Sequence, residues 1–135
     1  MRMSEVTEAK NGYQAFELDG ASRSKLAQQF PPKFSEFIGH HITHKFGVWS
    51  TEPLPDDADI KVVGYAVDPE GIEALVISVN GSTTRPDGKT YHCTWSLDRE
   101  NGFKPVNSNS LIEKSGYEQL SSAINIHAKP KFIAR

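Results

Sequence analysis

Side-chain character alternates with a period of two along residues 40–48 and again along residues 90–97, and each stretch carries one copy of a tripeptide, His41-Ile42-Thr43 and His92-Cys93-Thr94. Such alternation commits a segment to an extended strand with one face turned toward a core. Residues two apart then project from the same face, so each copy presents an imidazole beside a hydroxyl. In the first strand His41, Thr43 and Lys45 share a face, opposite Ile42, His44 and Phe46. In the second, His92, Thr94 and Ser96 oppose Tyr91, Cys93, Trp95 and Leu97. A fold that lays the two strands side by side gathers two imidazoles and two hydroxyls in one small volume. That set suits a phosphodiester: one histidine removes a proton, the other donates one, and the hydroxyls hold phosphate oxygens.

The rest of the chain reads as α+β with strands in excess. Residues 1–11 are polar and expected to be flexible, leaving 12–135 as a single domain. Alternation predicts a first strand over 13–18, ended by Asp19-Gly20. A short helix is expected over 23–30, capped by Ser22 and stopped by Pro31-Pro32, with Leu26, Ala27 and Phe30 as its apolar face. Residues 33–39 read as one more helical turn or a loop. Residues 49–59, with Pro53, Pro55 and four acidic residues, read as a surface loop that forms the rim or the lid of a site. The β-branched runs 60–67 and 72–79 predict a hairpin inside a sheet. Residues 80–89 form a second loop, 98–106 a connector, Leu111-Ile112 a single helical turn, and 124–128 a last strand.

Length and charge restrict the partners. A chain of 135 residues supports one core. A net charge of −2 gives none of the basic character that sequence-independent binding to duplex DNA requires, so a nucleic-acid substrate is expected to be small or held by a local patch. Cys93 is the lone cysteine, which excludes an intramolecular disulfide and fits a reducing compartment. No apolar run reaches membrane-spanning length, and Glu5 and Glu8 interrupt any signal-peptide core, so a cytoplasmic protein without membrane contact is expected.

The paired His41-x-Thr43 and His92-x-Thr94, each on a strand flanked by apolar residues and half a small domain apart, resemble the two-histidine phosphoesterase superfamily, which includes LigT-like RNA phosphodiesterases. The likeness runs from about Tyr13 to the last strand. It implies a compact bilobal fold with antiparallel-rich sheets, a central groove and pseudo-twofold symmetry. It also implies metal-independent cleavage of phosphodiesters without a cofactor, on RNA ends with 2′,3′-cyclic phosphates, 2′-5′ linkages, cyclic phosphates of ADP-ribose or cyclic nucleotides. The chain is short for that family, and His44 stands where an aliphatic residue is usual. As biology rather than a reading of residues, so compact a chain suits a phage-encoded enzyme that destroys cyclic nucleotide signals of bacterial defence.

The catalytic expectation therefore falls on His41, Thr43, His92 and Thr94, with His92 as base and His41 as acid for hydrolysis. Substrate contacts are expected from Arg85 and Lys89, which precede the second motif, from Trp49 as a stacking surface, and from Tyr13; Lys104 is a further loop cation. Against this stand plainer readings. A His or Thr on a strand is more often structural than catalytic, and only the duplication in matched contexts favours chemistry. His40 and His127 are expected at the surface, and His44 as a satisfied buried histidine. No metal is expected, because His41 and His44 fall on opposite faces and His40 lies about 13 Å along the strand from His44. A nucleotide- or RNA-binding module using the same groove without turnover is the alternative function, and an interaction domain with an accidental motif the third.

Overall fold

A computed structural model describes residues 12–134, and the expectation of a flexible 1–11 segment falls outside them. The described residues form a small α+β protein with two antiparallel sheets and two helices. In chain order these are β1 (Gly12–Leu18), α1 (Gly20–Gln29), β2 (Glu36–Phe37), β3 (His41–Val48), β4 (Ile60–Asp68), β5 (Ile72–Val79), β6 (His92–Leu97), a 3₁₀ turn (Arg99–Asn101), α2 (Asn107–Ser115), β7 (Glu118–Ile126) and β8 (Ala128–Ala134). One sheet has the order β3-β1-β8, the other β2-β6-β5-β4-β7. The two His-x-Thr strands thus belong to different sheets, β3 at an edge and β6 between two neighbours.

The core lies between the sheets. Phe16, Leu18 and Ile42 from the three-stranded sheet meet Val62, Leu75, Ile77, Cys93 and Trp95 from the five-stranded one, with Leu26 of α1 closing one side. β5 and β6 are buried along their whole lengths, because α2 covers the far face of the larger sheet, Ile112 packing on Ala66 and Val76. Such double coverage explains the near-continuous apolar run of β5. Among the described residues no helix is long and apolar enough to cross a membrane.

Several expectations need correction. The α1 N-cap is Asp19, whose carboxylate accepts from the Ser22 N–H at 2.7 Å; Ser22 lies inside the helix and its hydroxyl accepts from the His127 N–H. Residues 36–37 form a short strand on β6, not a helical turn. The single turn expected at Leu111-Ile112 is the nine-residue helix α2. The last strand is two strands flanking His127, and β8 returns along β1 to complete the smaller sheet.

Alternation also fails twice in β3. Ala15 pairs with Thr43 and Gln14 with Lys45, leaving His44 as an extra residue; Tyr13 pairs with Phe46 and Gly12 with Val48, leaving Gly47 as another. Each extra residue turns the following side chain to the other face. Phe46 therefore swings to the side of His41 and Thr43, and Lys45 leaves that side to pair with Glu52 at 3.5 Å. Gly47 has φ +65°, a conformation that a side chain would strain. In β6 the register slips at Trp95, and Ser96, expected beside His92 and Thr94, instead donates to the buried carboxylate of Glu73. Glu73 is also held by the Tyr65 hydroxyl at 2.5 Å and the Lys33 N–H at 2.7 Å, which fastens the Pro31-Pro32 segment to the sheet.

Candidate active site

The motif faces of β3 and β6 border one cleft of about 380 Å³. Its lining includes His41 and Thr43 from β3, His92 and Thr94 from β6, Tyr13 from β1 and Arg85 from the loop before β6. The remaining wall comes from Ile38, Phe46, Pro105, Val106 and Asn109. Six of the eight residues singled out from sequence are thus brought together. The other two are not: Lys89 pairs with Glu113 at 3.1 Å, and Trp49 is exposed, its backbone N–H donating to the Glu52 carboxylate. Lys104 adjoins the wall residue Pro105 without lining the cleft.

The strands are joined across the sheet boundary, and the bonds run in opposite senses along them. The N–H groups of Ile38 and Gly39 donate to the carbonyls of Trp95 and Thr94 at 2.8 and 3.0 Å. Gly39 makes this approach possible: its φ is +53°, and a Cβ there would meet the Trp95 and Phe37 rings at 2.9 and 2.8 Å. Farther along, the Cys93 thiol, pushed up to about 12 by burial and so kept protonated, lies against the His41 backbone.

His92 is 9 % exposed, and its Nδ1 lies 2.9 Å from the Thr90 carbonyl oxygen. A carbonyl only accepts, so Nδ1 carries the hydrogen and Nε2 keeps its lone pair. His41 lies beside Tyr13, the phenol oxygen 3.4 Å from Nε2 and the rings tilted at 45°. Both imidazoles are held below their ordinary pKa. For His41 burial is the main cause, reinforced by His40 and opposed by Glu17. For His92 burial again leads, the Thr90 hydrogen bond opposes it, and Arg85 and His41 lower it further. At neutral pH both are therefore mainly neutral, whereas the base-and-acid division needs one of them protonated.

Arg85 supplies the cleft's positive charge. Its side chain is 1 % exposed and is held along one edge of the guanidinium by Asp87, Nε to Oδ1 at 3.1 Å and Nη2 to Oδ2 at 2.7 Å. Phe46 lies 5.5 Å from the guanidinium and 5.3 Å from the Tyr13 ring, forming with them an aromatic wall. The Thr94 hydroxyl bonds Ser108 Oγ at 2.9 Å and the Pro105 carbonyl at 3.3 Å. If Ser108 donates to Thr94, the Thr94 proton is free to turn from Pro105 to a ligand oxygen.

Sequence reasoning missed Ile38, Pro105, Val106 and Asn109, and weighed Phe46 as a base-stacking ring but read it as core. Phe46 was hidden by the bulge at His44, and the others carry no reactive group that would single them out. His40 and His127 are exposed. Among the described residues no three His, Cys, Asp or Glu side chains gather where a metal ion could be held. The chain matches no family model, no curated protein and no solved structure. What the cleft can do follows from its own side chains: two imidazoles lining it together with a cation and two hydroxyls can bind an anion and transfer protons to and from it.

Proposed function

We propose that the chain is a metal-independent phosphodiesterase of the two-histidine type, acting on small nucleotides or RNA ends. The observation that carries the reading is the meeting of both His-x-Thr pairs with Arg85 in one cleft. The opposed sense of the two strands supports the pseudo-twofold relation of that fold, while the unequal sheets, three strands against five, depart from strict symmetry. A volume near the lower end of ligand sites, about 300–1,000 Å³, favours one nucleotide unit over a long strand. Phe46, 45 % exposed at the cleft wall, offers a stacking face for a base.

In hydrolysis of a 2′,3′-cyclic phosphate, His92 Nε2 takes a proton from water as its oxygen attacks phosphorus. The bond from phosphorus to the departing ribose oxygen breaks, and protonated His41 gives that oxygen its proton. Thr43, Thr94 and Arg85 hold the non-bridging oxygens as charge builds on the pentacoordinate phosphorus. The charge of the anionic substrate raises the imidazole pKa values, so proton uptake accompanies binding. On a linear RNA diester one histidine takes the 2′-hydroxyl proton as that oxygen attacks phosphorus, the bond to the 5′-oxygen breaks, and the other histidine protonates that leaving oxygen, giving a 2′,3′-cyclic phosphate.

The test is turnover of 2′,3′-cyclic AMP, a 2′-5′-linked oligoadenylate and cyclic di- and trinucleotides in EDTA, read by chromatography. His41→Ala and His92→Ala should each lose at least about a hundredfold. Cleavage indifferent to both substitutions would sink the proposal. Binding of the panel by wild type without turnover would make the cleft a nucleotide-binding module.

A further inference from the structure

His44 is the side chain that the mechanism leaves unused. It is the extra residue of the first bulge, one position past the first motif. Its Nδ1 lies 2.7 Å from the hydroxyl of Tyr91, which stands one position before the second motif. The two rings are nearly parallel, 8° apart with centroids at 6.0 Å, and Phe16 meets the His44 ring edge-on at 5.5 Å. Tyr91 is itself immobilised: its N–H donates to the Thr83 carbonyl at 2.7 Å and its carbonyl accepts from the Ile77 N–H at 3.0 Å.

These contacts lie at a particular place. β3 and β6 belong to different sheets, so no backbone ladder fixes the gap between His41 and His92. The backbone tie, from Ile38 and Gly39 just before β3 to Trp95 and Thr94 of β6, lies on one side of His41 and His92. Beyond that point the gap is spanned by the Cys93 thiol against the His41 backbone and, on the other side of His41 and His92, by the side-chain hydrogen bond of His44 with Tyr91. Proton transfer on opposite sides of one phosphorus is sensitive to misplacement, since an error near 1 Å can cost about a hundredfold.

We propose that His44 and Tyr91 form a strap between the two catalytic strands, positioning His41 and His92 at the separation that in-line phosphodiester chemistry needs. The strap rests on the phosphodiesterase reading for its purpose, though not for its existence. His44 acts through its neighbours and is a positioning residue. The bulge serves the same end: it keeps His44 pointed at Tyr91 while returning Phe46 to the cleft.

Four proteins test it: wild type, Tyr91→Phe, His44→Leu and His44→Asn, the last placing an amide atom where Nδ1 stood. Two readouts are taken, kcat and KM on the cleaved substrate and the NMR titrations of the His41 and His92 imidazoles. Tyr91→Phe and His44→Leu should lower kcat about tenfold with KM within twofold, and His44→Asn should recover kcat to within twofold of wild type. In the two strapless variants both imidazole titrations should move up toward the ordinary histidine value, as the rings separate and water enters. A lowered melting temperature with unchanged kcat and unmoved titrations would reduce the pair to packing and overturn the strap. If wild type cleaves nothing, the catalytic reading fails alone, and the titrations still decide: unmoved in Tyr91→Phe, they overturn the strap.

Discussion

Arg85 illustrates how one side chain can be both buried and chemically available. A guanidinium taken out of water needs a partner, and Asp87 meets it bidentately, which holds the Asp87 carboxyl below its usual range. The fork uses Nε and one Nη, so other N–H donors remain for a phosphate oxygen. Arg85→Gln should therefore raise KM at least about tenfold while Lys89→Ala and Trp49→Ala stay within twofold, because a charged hydrogen bond contributes about 1.5–3 kcal/mol and a solvated lysine far less. Asp87 is partly exposed, so water can hydrate it in Arg85→Gln and the variant should fold. Equal KM changes from Arg85→Gln and Lys89→Ala would show that the phosphate is held on the loop outside the cleft.

At the scale of elements, the turn into β3 is the most exacting piece of backbone. Gly39 combines a left-handed φ with contact to two aromatic rings, so Gly39→Ala must strain the turn and displace Trp95. The left-handed conformation alone costs a residue with a Cβ about 1–2 kcal/mol. Denaturant unfolding should show at least that loss, and because the same turn ties Ile38 and Gly39 to β6, kcat should fall as well; unchanged stability would show that the turn relaxes without resistance. The elements themselves were legible to different degrees, for physical reasons. β1, β4, β5 and both motif strands bury one face or two, so their apolar pattern is strong. β8 was missed because Pro130 argues against a strand, yet at the sheet edge its missing N–H costs no ladder bond. β7 is mostly exposed and shows no clean alternation, and α2 has only Leu111 and Ile112 as apolar anchors. The chemical half of the cleft could be read from residue type and spacing. Its wall could not, since Phe46 depends on the bulge at His44 and Pro105, Val106 and Asn109 on how α2 docks.

For the whole molecule, the decisive property is that three histidines, His41, His44 and His92, are all held below their ordinary pKa chiefly by burial. Unfolded histidine titrates near 6.5, so between that value and the lower folded ones the unfolded chain binds more protons. Stability is then full above neutrality and falls as pH drops through 6.5, and the fall levels off only below the folded values. Carboxylates held low, Asp19 by the Ser22 N–H, Glu36 by Arg99 and Asp87 by Arg85, act in a separate window below about pH 4. The melting temperature should accordingly decline from pH 8 to 5, less steeply in His44→Asn. An anion in the cleft reverses the preference, because it binds best to protonated imidazole. A 2′,3′-cyclic adenosine phosphorothioate, whose single charge does not titrate in this range, should bind more tightly at pH 5.5 than at pH 8 and take up protons on binding, as calorimetry in buffers of different ionisation enthalpy would register. By the same linkage, kcat/KM should peak on the acid side of 6.5 and kcat at higher pH, since the first reports the empty cleft and the second the occupied one. A melting temperature flat from pH 8 to 5, together with binding indifferent to pH, would mean that the imidazoles are hydrated and uncoupled, and no acid–base pair could then be poised by this cleft.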